Sequence, residues 1–158
     1  MKITLCGSIA FIDEMHSVKS VLEELGHEIK LPPREQTGKD GKLADAKELY
    51  AIRQQTPATD HWIWDVKEIA MHSHFDKVEW SDAILVLNLP KKGIEHYVGA
   101  NTLIEMGLAF HLKKPIYLLY PVPEMAYKEE ILGMKPIVLN GNLHLLSLSP
   151  QAEGVIRG

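Results

Sequence analysis

Glu105 is the one acid in the stretch YVGANTLIEMGLAF, residues 97–110. Leu103, Met106, Ala109 and Phe110 recur there at three- and four-residue intervals, an apolar stripe that a helix turns toward a core. A solvated helix face would carry more than one charge, so a lone carboxylate here is a candidate functional group, with an exposed or ion-paired helix acid as the alternative. Thr102 lies three residues earlier on the same face and offers a hydroxyl to orient it. Near the start of the chain, LCGSIAF supplies the backbone N–H groups of Gly7, Ser8 and Ile9 and one hydroxyl beside a helix start. That arrangement suits a phosphate or a sugar hydroxyl.

Other chemistry-bearing patterns are weaker. His72, His74 and Asp76 have a spacing that binds a metal on a strand, but residues two apart on a helix point away from each other, so no metal site is expected. Trp62 and Trp64 read as core or subunit contacts, with stacking on a base as the alternative. Met106 and Phe110 read as core. No Ser-His-Asp arrangement and no Gly-Lys-Ser/Thr phosphate loop is present, which excludes serine hydrolase and P-loop NTPase readings.

The elements that must position these residues follow from periodicity and punctuation. KITLC reads as a strand stopped at Gly7-Ser8. A helix follows, on which Ile12, Met15, Val18, Val21, Leu22 and Leu25 form one face before Gly26. HEIKLPP reads as a second strand. Residues 34–42 are polar and read as a mobile loop, and LADAKELYAIRQQ as a helix, so an insertion is expected at about 34–58. Thr59 or Asp60 is expected to cap a longer helix through residue 80. DAILVLNLP is a continuous apolar run of the kind buried on both faces of a parallel sheet. The Glu105 helix, the strand IYLLYPVP, a helical turn in YKEEILGM and the short strand PIVL lead to the tail GNLHLLSLSPQAEGVIRG. Five strands alternating with helices predict an α/β fold, one doubly wound domain over residues 1–158 with a five-stranded parallel sheet of flavodoxin or Rossmann type. Ligands then belong at the carboxyl ends of the strands, where Gly7, Ser8, Asn88 and the start of the Glu105 helix meet.

Composition bounds the partners. The 158 residues are 46% hydrophobic, enough for one domain with a real core. The net charge of −4 is spread without a long basic run, so no nucleic acid polymer is expected as a partner. The single cysteine, Cys6, allows no internal disulfide and reads as packing. The first residues run from Met1-Lys2 into a short stretch ending at Gly7-Ser8, too short for a signal peptide or a membrane span. A soluble cytoplasmic protein is expected.

The pieces LCGSIAF, SDAILVLN, GANTLIEMGLAFHLKKP and IYLLYP together resemble the nucleoside 2-deoxyribosyltransferase superfamily. Its members carry a Gly-Thr-x-x-Glu-x-Gly-x-Ala segment followed by Lys-Pro and a strand. The resemblance covers the first 30 residues and roughly 80–121, with Thr102, Glu105, Gly107 and Ala109 in register. It implies cleavage of an N-glycosidic bond, by hydrolysis or transfer, with Glu105 attacking the anomeric carbon of a nucleoside or nucleotide and no cofactor. The positive end of the helix dipole is expected to keep that carboxylate ionised. Gly7, Ser8, Ile9, Asn88, Lys91, Tyr97, Gly99, Asn101 and Thr102 would bind substrate, with Lys91 a partner for a phosphate. Where the transferases carry acids that serve the leaving base, this chain has Gly99 and Asn88. Asn88 retains an amide for a base edge, and Glu95, His96 and Tyr97 are candidates to protonate the leaving group. By analogy a homo-oligomer is expected, with neighbouring chains completing the site. Two alternatives stand beside the enzyme: a non-catalytic nucleotide-binding module of the same fold, and a structural protein whose rim is inert.

Overall fold

The central strand decides the architecture. In the computed structural model, which describes residues 1–148, the strands are β1 (Lys2–Gly7), β2 (Glu28–Lys30), β3 (Glu35–Thr37), β4 (Leu43–Asp45), β5 (Ala83–Leu87), β6 (Ile116–Leu118) and β7 (Ile137–Val138). All five residues of β5 are buried. Such a run needs cover on both sides, and the alternation of side chains across a strand supplies two apolar faces. The helices are α1 (Ile12–Glu24), α2 (Ala46–Gln55), α3 (Ile63–Trp80), α4 (Ala100–His111) and α5 (Lys128–Gly133); α1, α3, α4 and α5 cover the two faces, and Leu49 of α2 packs on Ile63 and Val66 of α3. Ile3 and Leu5 of β1 with Leu85 and Leu87 of β5 pack on Ile12, Met15 and Leu22 of α1. Cys6, Ile84 and Val86 point the other way, onto Val78 of α3, Met106 and Ala109 of α4 and Ile131 of α5.

The main sheet is parallel throughout, in the order β2-β1-β5-β6-β7. This is the doubly wound α/β fold that the alternating pattern predicts. The order reverses between β1 and β5, so a crevice opens beyond their carboxyl ends. Gly7 stands at that edge with φ of 154°, and a Cβ there would lie 3.0 Å from Leu87 O and 3.0 Å from Met15 Cε. Both the conformation and the close approach require glycine. Gly7→Ala is expected to lower stability by about 1–3 kcal/mol, read as a lower urea midpoint with an unchanged m-value.

Several ends are fixed by identifiable caps. Gly26, with φ of 89°, ends α1, and the bonds Gly26 N to Glu23 O and His27 N to Leu22 O close a Schellman turn. Asp45 caps α2 by accepting from Lys47 N at 2.8 Å and Glu48 N at 3.3 Å. Lys114 closes the far end of α3, where its Nζ donates to Val78 O at 2.8 Å, Ser81 O at 2.6 Å and Glu79 O.

The structure differs from the sequence expectation at four places. Residues 34–42 are not a structureless loop, because β3 and β4 pair as an antiparallel hairpin before α2. The start of α3 is capped by neither Thr59 nor Asp60. There Ile63 N donates to Nδ1 of His61 at 3.2 Å. Phe110 is 54% exposed, because the buried face of α4 narrows to Thr102, Glu105, Met106 and Ala109. Of the tail, Leu143–Ser147 form a short 3-10 helix, and residues 149–158 lie outside the described residues. No helix among the described residues is long and apolar enough to cross a membrane.

Candidate active site

Three elements on one side of the sheet converge on Glu105. It sits in the second turn of α4 and is 4% exposed. Cys6, on the face of β1 turned toward α3 and α4, and His74, in the middle of α3, face it. Nε2 of His74 is 3.6 Å from Oε2 of Glu105 and 3.4 Å from Sγ of Cys6. Asn101, one turn before Glu105, donates its Nδ2 to Oε1 at 2.7 Å, and Lys67 of α3 donates to Oδ1 of Asn101 at 2.8 Å. Oε2 of Glu105 accepts no hydrogen bond in geometry from the described residues. The residue that orients Glu105 is therefore Asn101, not Thr102, since the long amide reaches across one turn. Thr102 is buried and lines the cavity in front of the carboxylate.

Burial governs the charge state. Desolvation pushes Glu105 up to about 7, against the downward pull of the nearby Cys6 thiol, Lys67, Asn101 and Lys77. The helix dipole does not hold it ionised as expected. Glu105 is the sixth residue of α4, and the dipole acts within the first turn. Burial, reinforced by Lys77, also drives His74 down to about 4, so its imidazole is neutral. The Cys6 thiol is raised well above its usual value, first by burial and then by Glu105. His74 and Glu105 are thus driven toward their uncharged forms rather than held as an ion pair.

The crevice is a cavity of about 840 Å3. Gly7, Ser8, Ile9, Lys91, Tyr97, Gly99, Asn101, Thr102 and Glu105 all line it, so nine of the ten expected site residues meet there. Asn88 does not. It is fully buried and spends its amide on the backbone of the next strand: Nδ2 donates to Tyr120 O at 2.8 Å and Pro121 O at 3.0 Å, and Tyr120 N donates to Oδ1 at 2.9 Å. The polar end of β5 is a clasp, not a contact for a base. Of the three loop candidates for leaving-group protonation, only Tyr97 lines the cavity. His96 stacks on Tyr120 with centroids 5.8 Å apart, and Glu95 faces His96 at 3.9 Å.

Residues of α2, which the sequence does not single out, form a wall of the cavity together with the two tryptophans that it does. Tyr50 and Arg53 of α2 and Trp62 and Trp64 at the start of α3 line the cavity. Nζ of Lys91 donates to Ser8 Oγ at 2.6 Å and to Tyr50 OH at 3.2 Å, and lies 4.8 Å from the Tyr50 ring centroid and 5.2 Å from that of Tyr97. Lys91 makes no ion pair with a carboxylate among the described residues. The wall itself is tied to α1, where Asp13 holds Arg34 at 2.5 Å and Lys47 at 3.4 Å and is drawn down by both. His72 is exposed on the far side of α3 from His74, as the helical spacing requires.

No protein-family model matches the sequence, and no curated protein matches it. Solved structures do. A 2-deoxyribosyltransferase from Bacillus psychrosaccharolyticus is 17% identical and aligns over 75% of this chain and 71% of its own, with a TM-score of 0.47. A CMP N-glycosidase from Clostridium botulinum is 19% identical over 94% of this chain and 100% of its own, with a TM-score of 0.49. A conserved protein from Enterococcus faecalis is 17% identical over 84% and 72%, with a TM-score of 0.47. These activities are those of the matched proteins.

Proposed function

We propose that the chain cleaves the N-glycosidic bond of a nucleoside or nucleotide, by hydrolysis or transfer, with Glu105 as the nucleophile. One observation carries the reading: a carboxylate 4% exposed on the wall of the cavity, with Oε1 held by Asn101 and Oε2 free of hydrogen bonds. Ionised Oε2 keeps its lone pairs for the anomeric carbon. As the new C–O bond forms, the bond to the base breaks and its electron pair leaves with the base, which takes up a proton. Tyr97, the one of the three loop candidates that lines the cavity, is the residue we assign to supply that proton. Water or a second base then releases the sugar. Tyr50, Trp62, Trp64 and Tyr97 offer aromatic surface to a base.

Lys91 favours a nucleotide within this reading. Its ammonium, poised on the Ser8 hydroxyl beside the 3-10 turn Ile9–Phe11, supplies a cation without a carboxylate partner to a phosphate. Lys91→Ala is expected to raise KM for a nucleoside 5′-monophosphate at least about tenfold, the scale of one charge-assisted hydrogen bond. KM for the parent nucleoside should stay within twofold or so. Equal effects on both substrates would remove the phosphate role. The reading includes a homo-oligomer, for which Ile69, Ile104 and Phe110, each about half exposed or more, supply apolar surface. A single monomeric species in sedimentation equilibrium would end that part of it.

The test of the reaction is chromatographic. Purified chain is incubated with ribo- and deoxyribonucleosides and their 5′-monophosphates, with and without a second free base. Base release or exchange by the wild type, and not by Glu105→Gln, supports the reading. Binding without turnover in both proteins would instead favour a non-catalytic nucleotide-binding module.

A further inference from the structure

Cys6, His74 and Glu105 bring three different donor atoms to one buried point from three separate elements. Their sulfur, nitrogen and oxygen all lie within 4.8 Å of one another, and each residue is buried. The pairs Cys6 Sγ to His74 Nε2, 3.4 Å, and His74 Nε2 to Glu105 Oε2, 3.6 Å, match the edges of a tetrahedron. With zinc–ligand bonds of about 2.3 Å to sulfur and about 2.0 Å to nitrogen and oxygen, those edges come to about 3.5 Å and about 3.3 Å. A second observation points the same way: Oε2 of Glu105 is buried without a hydrogen bond, an orphan that an ion would satisfy. Asn101 meanwhile pins Oε1, the outer contact that aims a metal-binding carboxylate.

We propose that Cys6, His74 and Glu105 form a three-ligand site for a divalent ion of the zinc class, with its fourth position toward the cavity. Thiolate, imidazole and carboxylate together select zinc or cobalt over magnesium or calcium, which take oxygen alone. The approach is through the cavity, which His74 and Glu105 both line. On binding, the Cys6 thiol releases its proton to solvent as the sulfur–metal bond forms, and a protonated Glu105 releases another; nothing is oxidised or reduced. The site stands whether or not the reaction proposed above does. One consequence rests on that reading: Oε2 cannot attack a sugar while it holds an ion, so zinc and turnover exclude each other.

Cobalt titration of the chelator-treated full chain reads the site directly. The expected spectrum has the near-ultraviolet thiolate-to-cobalt charge-transfer band and the intense visible bands of four-coordinate cobalt, saturating at one equivalent. Cys6→Ser abolishes the charge-transfer band. His74→Gln and Glu105→Gln weaken zinc binding at least about 100-fold in competition with a chelator, the upper end of what losing only a ligand's outer partner costs. X-ray absorption at the zinc edge of the wild type requires no variant and should show one sulfur at about 2.3 Å with nitrogen or oxygen at about 2.0 Å. A six-coordinate cobalt spectrum at saturation, a zinc shell without sulfur, or a charge-transfer band that survives in Cys6→Ser overturns the proposal. Cobalt spectra in a chain whose chelator-treated, metal-free form shows no turnover would leave the site standing and refute the reaction. Turnover without those spectra would do the reverse.

Discussion

Glu105→Gln is expected to lower base release by about 10⁴-fold or more, the scale on which removal of a nucleophile acts. The amide keeps the volume of the carboxylate and can still accept from Asn101 Nδ2, so the fold should survive. Stability moves in the opposite direction to activity. Glu105 titrates at about 7 in the folded chain against a usual value of 4.5. A raised acid pKa contributes stability in full below the unfolded value, and that contribution disappears as pH rises through about 7. The loss amounts to about 3 kcal/mol. The wild type should therefore weaken between about pH 4.5 and pH 7 relative to Glu105→Gln, in urea melts taken across that range. Over the same interval turnover in chelator-treated protein should climb toward a plateau above pH 7, because only the ionised carboxylate attacks. An activity profile flat through pH 7, or a Glu105→Gln variant with wild-type turnover, would remove Glu105 as the nucleophile.

Asn88→Ala is the largest expected loss of stability. The side chain is fully buried and makes three hydrogen bonds to the chain that leaves β6. Truncation strands Tyr120 N–H, Tyr120 C=O and Pro121 C=O, each a group whose unsatisfied burial costs about 1–3 kcal/mol. With partial relief by relaxation, about 3–5 kcal/mol is expected. The measurement is a urea midpoint with the m-value compared. Asn88→Asp is a sharper form of the same test, because it keeps one acceptor for Tyr120 N and turns a donor toward two carbonyls into an oxygen. If Asn88 instead served the ligand, both variants would raise KM and leave the midpoint near that of the wild type.

Asn88 also shows why some of the site was legible in the sequence and some was not. The sheet can be read because β5 is apolar at every position and β1 is a short run rich in apolar and β-branched residues, both the mark of strands covered on two faces. Glu105 was visible because it interrupts an apolar stripe. The residues facing it were not. Cys6 and His74 stand 68 positions apart, and each alone looks like packing or a solvated helix residue until β1, α3 and α4 meet. The hairpin β3–β4 escaped detection because Glu35, Gln36 and Thr37 lack apolar alternation, its pairing being backbone only. Asn88 carries no distinguishing signal, because a polar residue ending a central strand looks the same in sequence whether it faces a ligand or a neighbouring loop.

Tyr50, Arg53 and Trp62 of the wall come from one continuous stretch of chain between β2 and α3, and Trp64 from the first turn of α3. Since β2 is an edge strand, that stretch can lengthen, shorten or be exchanged without breaking any rung of the sheet. On the reading proposed above, the carboxylate and the surface that would choose what reaches it are therefore separable parts of the chain. Exchanging that cassette would change the substrate while leaving Glu105 and its partners in place.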